Sequence, residues 1–152
     1  MMKEVKDSYT EQVQILTQSS MNGFGRLFGG RLMKWIDIVA AVTARRHSEK
    51  NVTTVLVDQL EFKKPARVND TLVLTGHITY TGRTSMEVCV NTYIEQLDGS
   101  RSLINSAYLV MVALDKNDKP CEIPGLIVKT DEELAEWEAA KKRRETRKIR
   151  LS

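Results

Sequence analysis

The sequence predicts an α+β domain: a long central helix wrapped by a curved antiparallel sheet of about five strands, with a further helix at the C-terminus. Three observations predict it. Residues 29–48 are apolar most of the way round a helical wheel, so this helix belongs inside the molecule. Four later segments are rich in β-branched residues, and the short turn dipeptides between them favour antiparallel neighbours. A single long helix has too little surface to cover such a sheet on both sides, and a sheet bent around it solves the core.

The elements follow in order. Residues 11–17 alternate loosely and read as a first strand, and 19–29 read as a loop. The long helix starts near Gly29 and Gly30 and stops near His47 and Ser48, with Arg45, Arg46 and His47 in the last turn, where cations suit the macrodipole. Residues 51–62, 71–81, 85–95 and 103–114 read as strands. Turn chemistry breaks them at Lys64–Pro65, Asn69–Asp70, Gly82–Arg83, Asp98–Gly99 and Asn117–Asp118. A last helix over 131–148 begins with acidic residues and ends with basic ones. No repeat or linker divides the chain, so residues 1–152 read as one domain.

Composition narrows the function. The 152 residues are 41% hydrophobic and 28% charged, as in a soluble globular protein. No apolar run reaches the roughly 20 residues of a membrane helix, and residues 1–7 lack the apolar core of a secretory signal. Cys89 and Cys121 make no disulfide framework, and no Cys/His cluster has zinc spacing, so a reducing cytoplasmic setting and no metal are expected. The formal charge of +3 is uneven. Between 141 and 152, seven basic residues (Lys141, Lys142, Arg143, Arg144, Arg147, Lys148, Arg150) against Glu145 make that end +6 and leave −3 for the rest. Such a run reads first as the solvated face of a helix, and it also keeps open contact with phosphates or nucleic acid.

The chemistry concentrates around one carboxylate. Asp37 sits inside the most apolar stretch of the chain, residues 32–42, flanked by Ile36 and Ile38. Burying such a charge alone is costly, so it is exposed, paired or functional. Two readings stand: Asp37 paired with Lys34 or facing water, or Asp37 at a reaction centre. Met33, Ala40, Ala41 and Ala44 share its helical face, and the alanines leave room beside it. Just upstream, Gly23, Gly25, Gly29 and Gly30 supply four of the chain's eight glycines. No Lys–Ser/Thr follows Gly30, so a phosphate cradle fits poorly; Phe28 and the missing parallel unit speak against a dinucleotide fingerprint. Unpaired amides at a helix start fit an oxyanion better.

Asn22, Gly25, Leu27, Phe28, Gly29, Gly30, Leu32, Met33, Ile36 and Asp37, taken in order, resemble the signature of hotdog-fold acyl-CoA thioesterases of the bacterial short-chain and brain acyl-CoA hydrolase group. The resemblance continues through Thr54, Val55, Val57, Asp58, Phe62, Lys64 and Pro65, then through 81–88, and reaches the charged C-terminal helix. It implies a hotdog fold and hydrolysis of acyl-CoA to a fatty acid and coenzyme A. Coenzyme A would be part of substrate and product, with no other cofactor. The resemblance also implies a homodimer, often assembled as a trimer of dimers, with Asp37 of one subunit as base or nucleophile facing Asn22 of the partner subunit. The amides of Gly29 and Gly30 would hold the thioester oxygen. The brain enzyme's first domain often carries histidine where this chain has Phe28, so no histidine role carries over; His47 and His77 lie outside the motif and read as structural or exposed.

Arg83, Thr84 and Ser85 form a turn with a cation and two hydroxyls. In the family this turn lies near the nucleotide; otherwise it is an ordinary β-turn. Lys64 is a second cation for the substrate. The alternatives are a non-catalytic acyl-CoA-binding or sensor protein and a nucleic-acid binder working through 141–150. Few aromatics (6%) and a basic run confined to one end speak against the second.

Overall fold

The computed structural model describes residues 1–60 and 62–151, without the side chains of 149–151. Its elements are β1 (Met2–Glu4), β2 (Thr10–Ile15), α1 (Gly29–Ser48), β3 (Asn51–Asp58), β4 (Thr71–Thr81), β5 (Ser85–Glu95), β6 (Arg101–Leu114), β7 (Gly125–Ile127) and α2 (Asp131–Leu151). Strands β2 to β6 form one antiparallel sheet in the order β2-β4-β5-β6-β3. It wraps α1, which packs against all five strands.

The α1 core is built as the apolar pattern requires. Leu32, Ile36, Val39, Ala40 and Ala44 are buried against Leu72, Leu74 and Ile78 of β4, Val88 and Val90 of β5, and Leu109 and Met111 of β6. Each large aliphatic side chain removed from water here contributes about 1.5–3 kcal/mol. The buried hydroxyls stay inside the helix, with Thr43 Oγ1 donating to the Val39 carbonyl and Ser48 Oγ to that of Ala44, both at 2.8 Å. Gly76 of β4 lets the helix come close: a Cβ there would stand 2.6 Å from Thr43 Oγ1 and 2.8 Å from Val39 Cγ1. Glu49 in the left-handed region ends α1, its N–H donating to the Arg45 carbonyl.

Several elements differ from the sequence reading. The first strand is Thr10–Ile15, not 11–17, because Leu16 leaves the ladder to bond the Asp70 carbonyl. The third strand stops at Asp58: Gln59 takes a positive φ of 60°, and Phe62 stands in a loop. Glu61, inside the strand expected over 51–62, lies outside the described residues. Tight turns do join β4 to β5 and β5 to β6 as antiparallel neighbours, but β3 pairs with β6 because the 59–70 connection carries the chain across the sheet. A parallel pair, β1–β7, has no counterpart in the sequence pattern, since three-residue strands show no periodicity.

The larger correction concerns α2. The helix forms where predicted, but its basic run is not simply a solvated face. Glu136, Trp137, Ala140, Arg143, Arg144 and Arg147 share one stripe at i, i+3, i+4 and i+7 spacing, and that stripe lies on the sheet face opposite α1. Glu136 pairs with His77 at 2.7 Å, and Trp137 stacks on Tyr80 with ring centroids 4.2 Å apart. Arg143 lies over the Tyr108 ring at 3.7 Å and donates to both oxygens of Glu87, and Arg147 donates to Glu87 Oε2 at 2.8 Å. Thr79 Oγ1 completes the set at 2.6 Å from Glu87 Oε1. Lys141, Lys142 and Lys148 remain exposed, and the Arg150 side chain lies outside the described residues.

Candidate active site

Asp37 projects from the third turn of α1, half-buried, with the Thr54 hydroxyl of β3 donating to its Oδ1 at 2.7 Å. Thr54 Oγ1 also lies 3.3 Å from Met111 Sδ. Among the described residues Oδ2 has no protein partner, and Lys34 is exposed and makes no ion pair with Asp37. One oxygen is thus anchored and the other is available. On the same face Ala40 and Ala44 are fully buried in the core, and Ala41 is half-buried against it.

A β-bulge places Thr54. The register of β3 on β6 shifts between Thr54 and Leu56, so Thr54 and Val57 stand opposite the core residues Met111 and Leu109 while Leu56 and Asp58 stand opposite Val110 and Tyr108. Without the bulge, strict alternation would send residues 54, 56 and 58 to one face. Thr54 is the functional candidate that sequence reasoning missed. It lay within the quoted motif, but its pairing with Asp37 spans 17 residues and two elements.

The start of α1 holds the second group of candidates. Phe28 caps the helix without a side-chain hydrogen bond, and its carbonyl accepts from the amides of Arg31 at 3.0 Å and Leu32 at 3.2 Å. The amides of Gly29 and Gly30 have no acceptor among the described residues. The Phe28 ring rests on Gly30 so closely that an added Cβ would lie 2.7 Å from Cε2. Asn22 closes the preceding loop: Oδ1 accepts from the amides of Phe24 (2.8 Å) and Arg26 (3.2 Å). Asn22 also lines a cavity of about 440 Å³ with Arg26, Gly29, Phe62, Lys64 and Pro65.

Within one chain these candidates do not all meet. Asn22, Gly29 and Lys64 share that cavity, which Asp37 does not line. Arg83, Thr84 and Ser85 lie elsewhere, in the turn closed by the Gly82 amide on the Ser85 carbonyl at 2.8 Å. Arg83 is exposed, 3.6 Å from Glu122 Oε1. Ser85 lines a more apolar cavity of about 420 Å³ with Tyr80, Met86 and Arg144. Arg144 bonds the Tyr80 hydroxyl at 3.2 Å and reaches Gly82, so one cation of the C-terminal run stands beside this turn.

His47, His77 and Cys89 are buried or held by partners away from this site. His47 is buried, with Nε2 2.8 Å from the Pro124 carbonyl, and burial holds its pKa below the ordinary histidine value. His77 is taken up by Glu136. Burial pushes the Cys89 thiol up to about 12, which leaves no thiolate for nucleophilic work. No group of three or more metal-ligating side chains occurs, and no helix is long and apolar enough to cross a membrane, among the described residues.

Comparison with known proteins matches the thioesterase superfamily over residues 24–99. The uncharacterized acyl-CoA thioester hydrolase YkhA of Bacillus subtilis is 38% identical over 85% of this chain and 76% of its own length. Among solved structures, a hexameric acyl-CoA thioesterase in its apo form superposes with a TM-score of 0.94 at 39% identity, covering 99% of this chain and 97% of the other. An acyl-CoA hydrolase of Staphylococcus aureus in complex with butyryl coenzyme A, coenzyme A and coenzyme A disulfide gives 0.94 at 34%, covering 99% and 93%. That hydrolase has also been solved with an aspartate, a threonine or an asparagine replaced by alanine. The antiparallel sheet closed around α1 and the match from 24 to 99 agree: this chain has the hotdog fold and belongs to the thioesterase superfamily.

Proposed function

We propose that this protein hydrolyses acyl-CoA thioesters, with Asp37 as the reactive carboxylate. The observation that carries the reading is the Thr54–Asp37 hydrogen bond, which orients one oxygen and leaves the other for chemistry. The residues replaced in the S. aureus variants are an asparagine, an aspartate and a threonine spaced 15 and 17 apart, the spacing of Asn22, Asp37 and Thr54 here. The names of the relatives support the same substrate class.

The helix supplies a workable geometry. Gly30 and Asp37 are seven residues apart, so they share a face with about 10 Å of rise between them. Helical side chains lean toward the N-terminus, which brings the carboxylate back toward the Gly30 amide. A donor–oxygen contact, a carbonyl bond and an attack distance together span about 7 Å. A thioester carbonyl fits that interval, with its oxygen on the Gly29–Gly30 amides and its carbon before Asp37. Asp37 acts as nucleophile or as the base that activates water. As base, Asp37 takes a proton from water as the water oxygen bonds to the thioester carbon, and the C–S bond then breaks with the sulfur leaving as the thiol with that proton. As nucleophile, an Asp37 oxygen bonds to the carbon as the C–S bond breaks; water then protonates the thiolate and hydrolyses the mixed anhydride, which frees the acid and Asp37.

Asn22 of the partner subunit completes the site. The two chain ends of the sheet, β2 and β3, are open edges, and exposed Phe28, Ile38 and Val55 lie around α1 and β3. Open edges flanked by apolar side chains favour a homodimer, and a trimer of dimers follows the hexameric relative. Lys64, Arg83, Thr84, Ser85 and Arg144 supply cations and hydroxyls for the phosphates of coenzyme A. The nucleic-acid reading loses ground because Arg143 and Arg147 are committed to Glu87.

Butyryl-CoA turnover tests the reading. Asp37→Asn is expected to abolish thiol release while leaving the fold intact, and full turnover removes Asp37 from the mechanism. Stoichiometric binding without turnover by the unaltered protein would favour a sensor. Mixed Asn22→Ala and Asp37→Ala subunits should recover part of the activity; a dead mixture with subunit exchange demonstrated argues against a shared site.

A further inference from the structure

We propose that Arg147 is a positioning residue for Asp37, acting from the outer face of the sheet through β3. The inference rests on the roles given to Asp37 and Thr54 above. It starts from the bulge, which makes β3 two-sided. Thr54 reaches Asp37 on the α1 side, and Asp58, four residues on, faces α2. Any shift of β3 is felt on both sides.

Arg147 is the residue of α2 that bridges this strand to the rest of the sheet. It is 8% exposed. Its NH2 group donates to Glu87 Oε2 of β5 at 2.8 Å, and its Nε stands 3.7 Å from Asp58 Oδ2 of β3. That Nε is buried and has no hydrogen bond, so Asp58 is the carboxylate that compensates this edge of the guanidinium. Glu87 is fixed in turn by Arg143 and Thr79. The planar guanidinium therefore holds β3 at a set distance from β5 on the outer face.

Among the described residues of one chain, β3 has β6 as its one hydrogen-bonded neighbour. The bulge decides which face each residue of β3 presents, so a shift of the strand at Asp58 is carried to Thr54. A one-residue slip in β3 would carry the hydroxyl of Thr54 away from Asp37 and bring the neighbouring Thr53 or Val55 toward it. The clamp at Asp58 opposes that slip. The C-terminal helix, which the motif reading left without a task, thereby sets the geometry of a carboxylate on the other side of the sheet.

A double-mutant cycle on the full-length protein tests this, with butyryl-CoA as the probe. Arg147→Ala is expected to lower kcat about tenfold, with KM changed by less than about twofold. In a Thr54→Val background the same substitution should have no further effect on kcat. An equal loss in both backgrounds, or unchanged kcat in Arg147→Ala, overturns the proposal. If Arg147→Ala does not fold, Arg147→Lys replaces it in the same cycle: it keeps the charge without the fork that spans both carboxylates, and a smaller loss that also vanishes in Thr54→Val is expected. Full turnover in Asp37→Asn would sink the functional reading, whereas additivity in the cycle sinks this inference alone.

Discussion

The two helices lie on opposite faces of one sheet and are held by opposite means. Beneath α1, the contact is aliphatic: Leu32, Ile36 and Val39 meet Leu74, Ile78 and Val88. Beneath α2, beside the stack of Trp137 on Tyr80, the centre is ionic: one buried carboxylate, Glu87, is shared by two guanidinia, with Thr79, Tyr108 and Asp58 around them. An apolar interface is tolerant because dispersion and water exclusion have no preferred direction. A buried ionic interface stabilises only when every partner is present, because each charge left alone keeps its desolvation cost. The faces should thus respond differently to the same kind of damage.

The largest effect is expected on the outer face. Glu87→Ala leaves Arg143 and Arg147 without their shared carboxylate and should cost about 3–5 kcal/mol in denaturant unfolding. Replacing Glu87, Arg143 and Arg147 together by Met, Met and Leu should be neutral or stabilising by about 1–4 kcal/mol. If the triple variant is as damaged as Glu87→Ala, the network has a specificity that pairwise accounting misses, and the contrast with α1 fails.

A smaller loss is expected at the inner face, from overpacking. Gly76→Ala would place a methyl 2.6 Å from Thr43 Oγ1 and 2.8 Å from Val39 Cγ1, so α1 must move outward. The expected cost is about 1–3 kcal/mol. Unchanged stability would mean that the inner contact is looser than these distances require. The same variant reports on the site, because an outward shift of α1 carries Asp37 with it.

The contrast also explains what was legible in the sequence. The inner half was readable because hydrophobic periodicity reports aliphatic burial directly: α1 was placed to within a residue, and β4 and β5 at their observed ends. The outer half was not. Arg143 and Arg147 look the same in sequence whether they face water or Glu87, since hydropathy scores the side chain and not its partner. Asp37 stood out because it broke an apolar pattern. Thr54 did not, because threonine is an ordinary strand residue and the bulge that aims it leaves no compositional mark. The split between the cavity at Asn22 and the turn at Arg83 was equally hidden, because both lay in one motif order.

Acidification should separate the faces further. Burial lowers the His47 pKa at the end of α1, so the folded state favours the neutral ring. The unfolded chain takes up protons first, and this contribution, fully present above the ordinary histidine pKa of about 6.5, is lost as pH falls through that value toward the lowered one. Burial pushes Glu87 up, but Arg143, Thr79 and Arg147 outweigh it and hold its carboxyl below the usual range. Its contribution is present above the unfolded carboxylate pKa and disappears only as pH falls through the lowered folded value. Stability measured from pH 7.5 downward should therefore decline first through His47. His47→Gln should flatten the step near neutrality and leave the acid step in place. A single step at acid pH in the unaltered protein would show that His47 is not the first group to yield.

The smallest effect belongs to the turn between β4 and β5. Arg83 is exposed and faces Glu122 across 3.6 Å, so its removal should change stability by less than about 1 kcal/mol. Arg144 is anchored on Tyr80 beside the same turn, and its position is set by α2. If both cations meet the phosphates of coenzyme A, Arg83→Ala and Arg144→Ala should each raise KM for butyryl-CoA by about two- to fivefold, and more at low salt than at high. A truncated thioester without the nucleotide should be unaffected by either change. The two should differ in one respect: Arg144 is part of the α2 contact, so its loss should also lower the melting temperature, whereas the loss of Arg83 should not. Equal effects of Arg83→Ala on the full and truncated substrates would place that cation outside the nucleotide path, and Arg144 would then be the one basic residue by which the outer face touches the substrate.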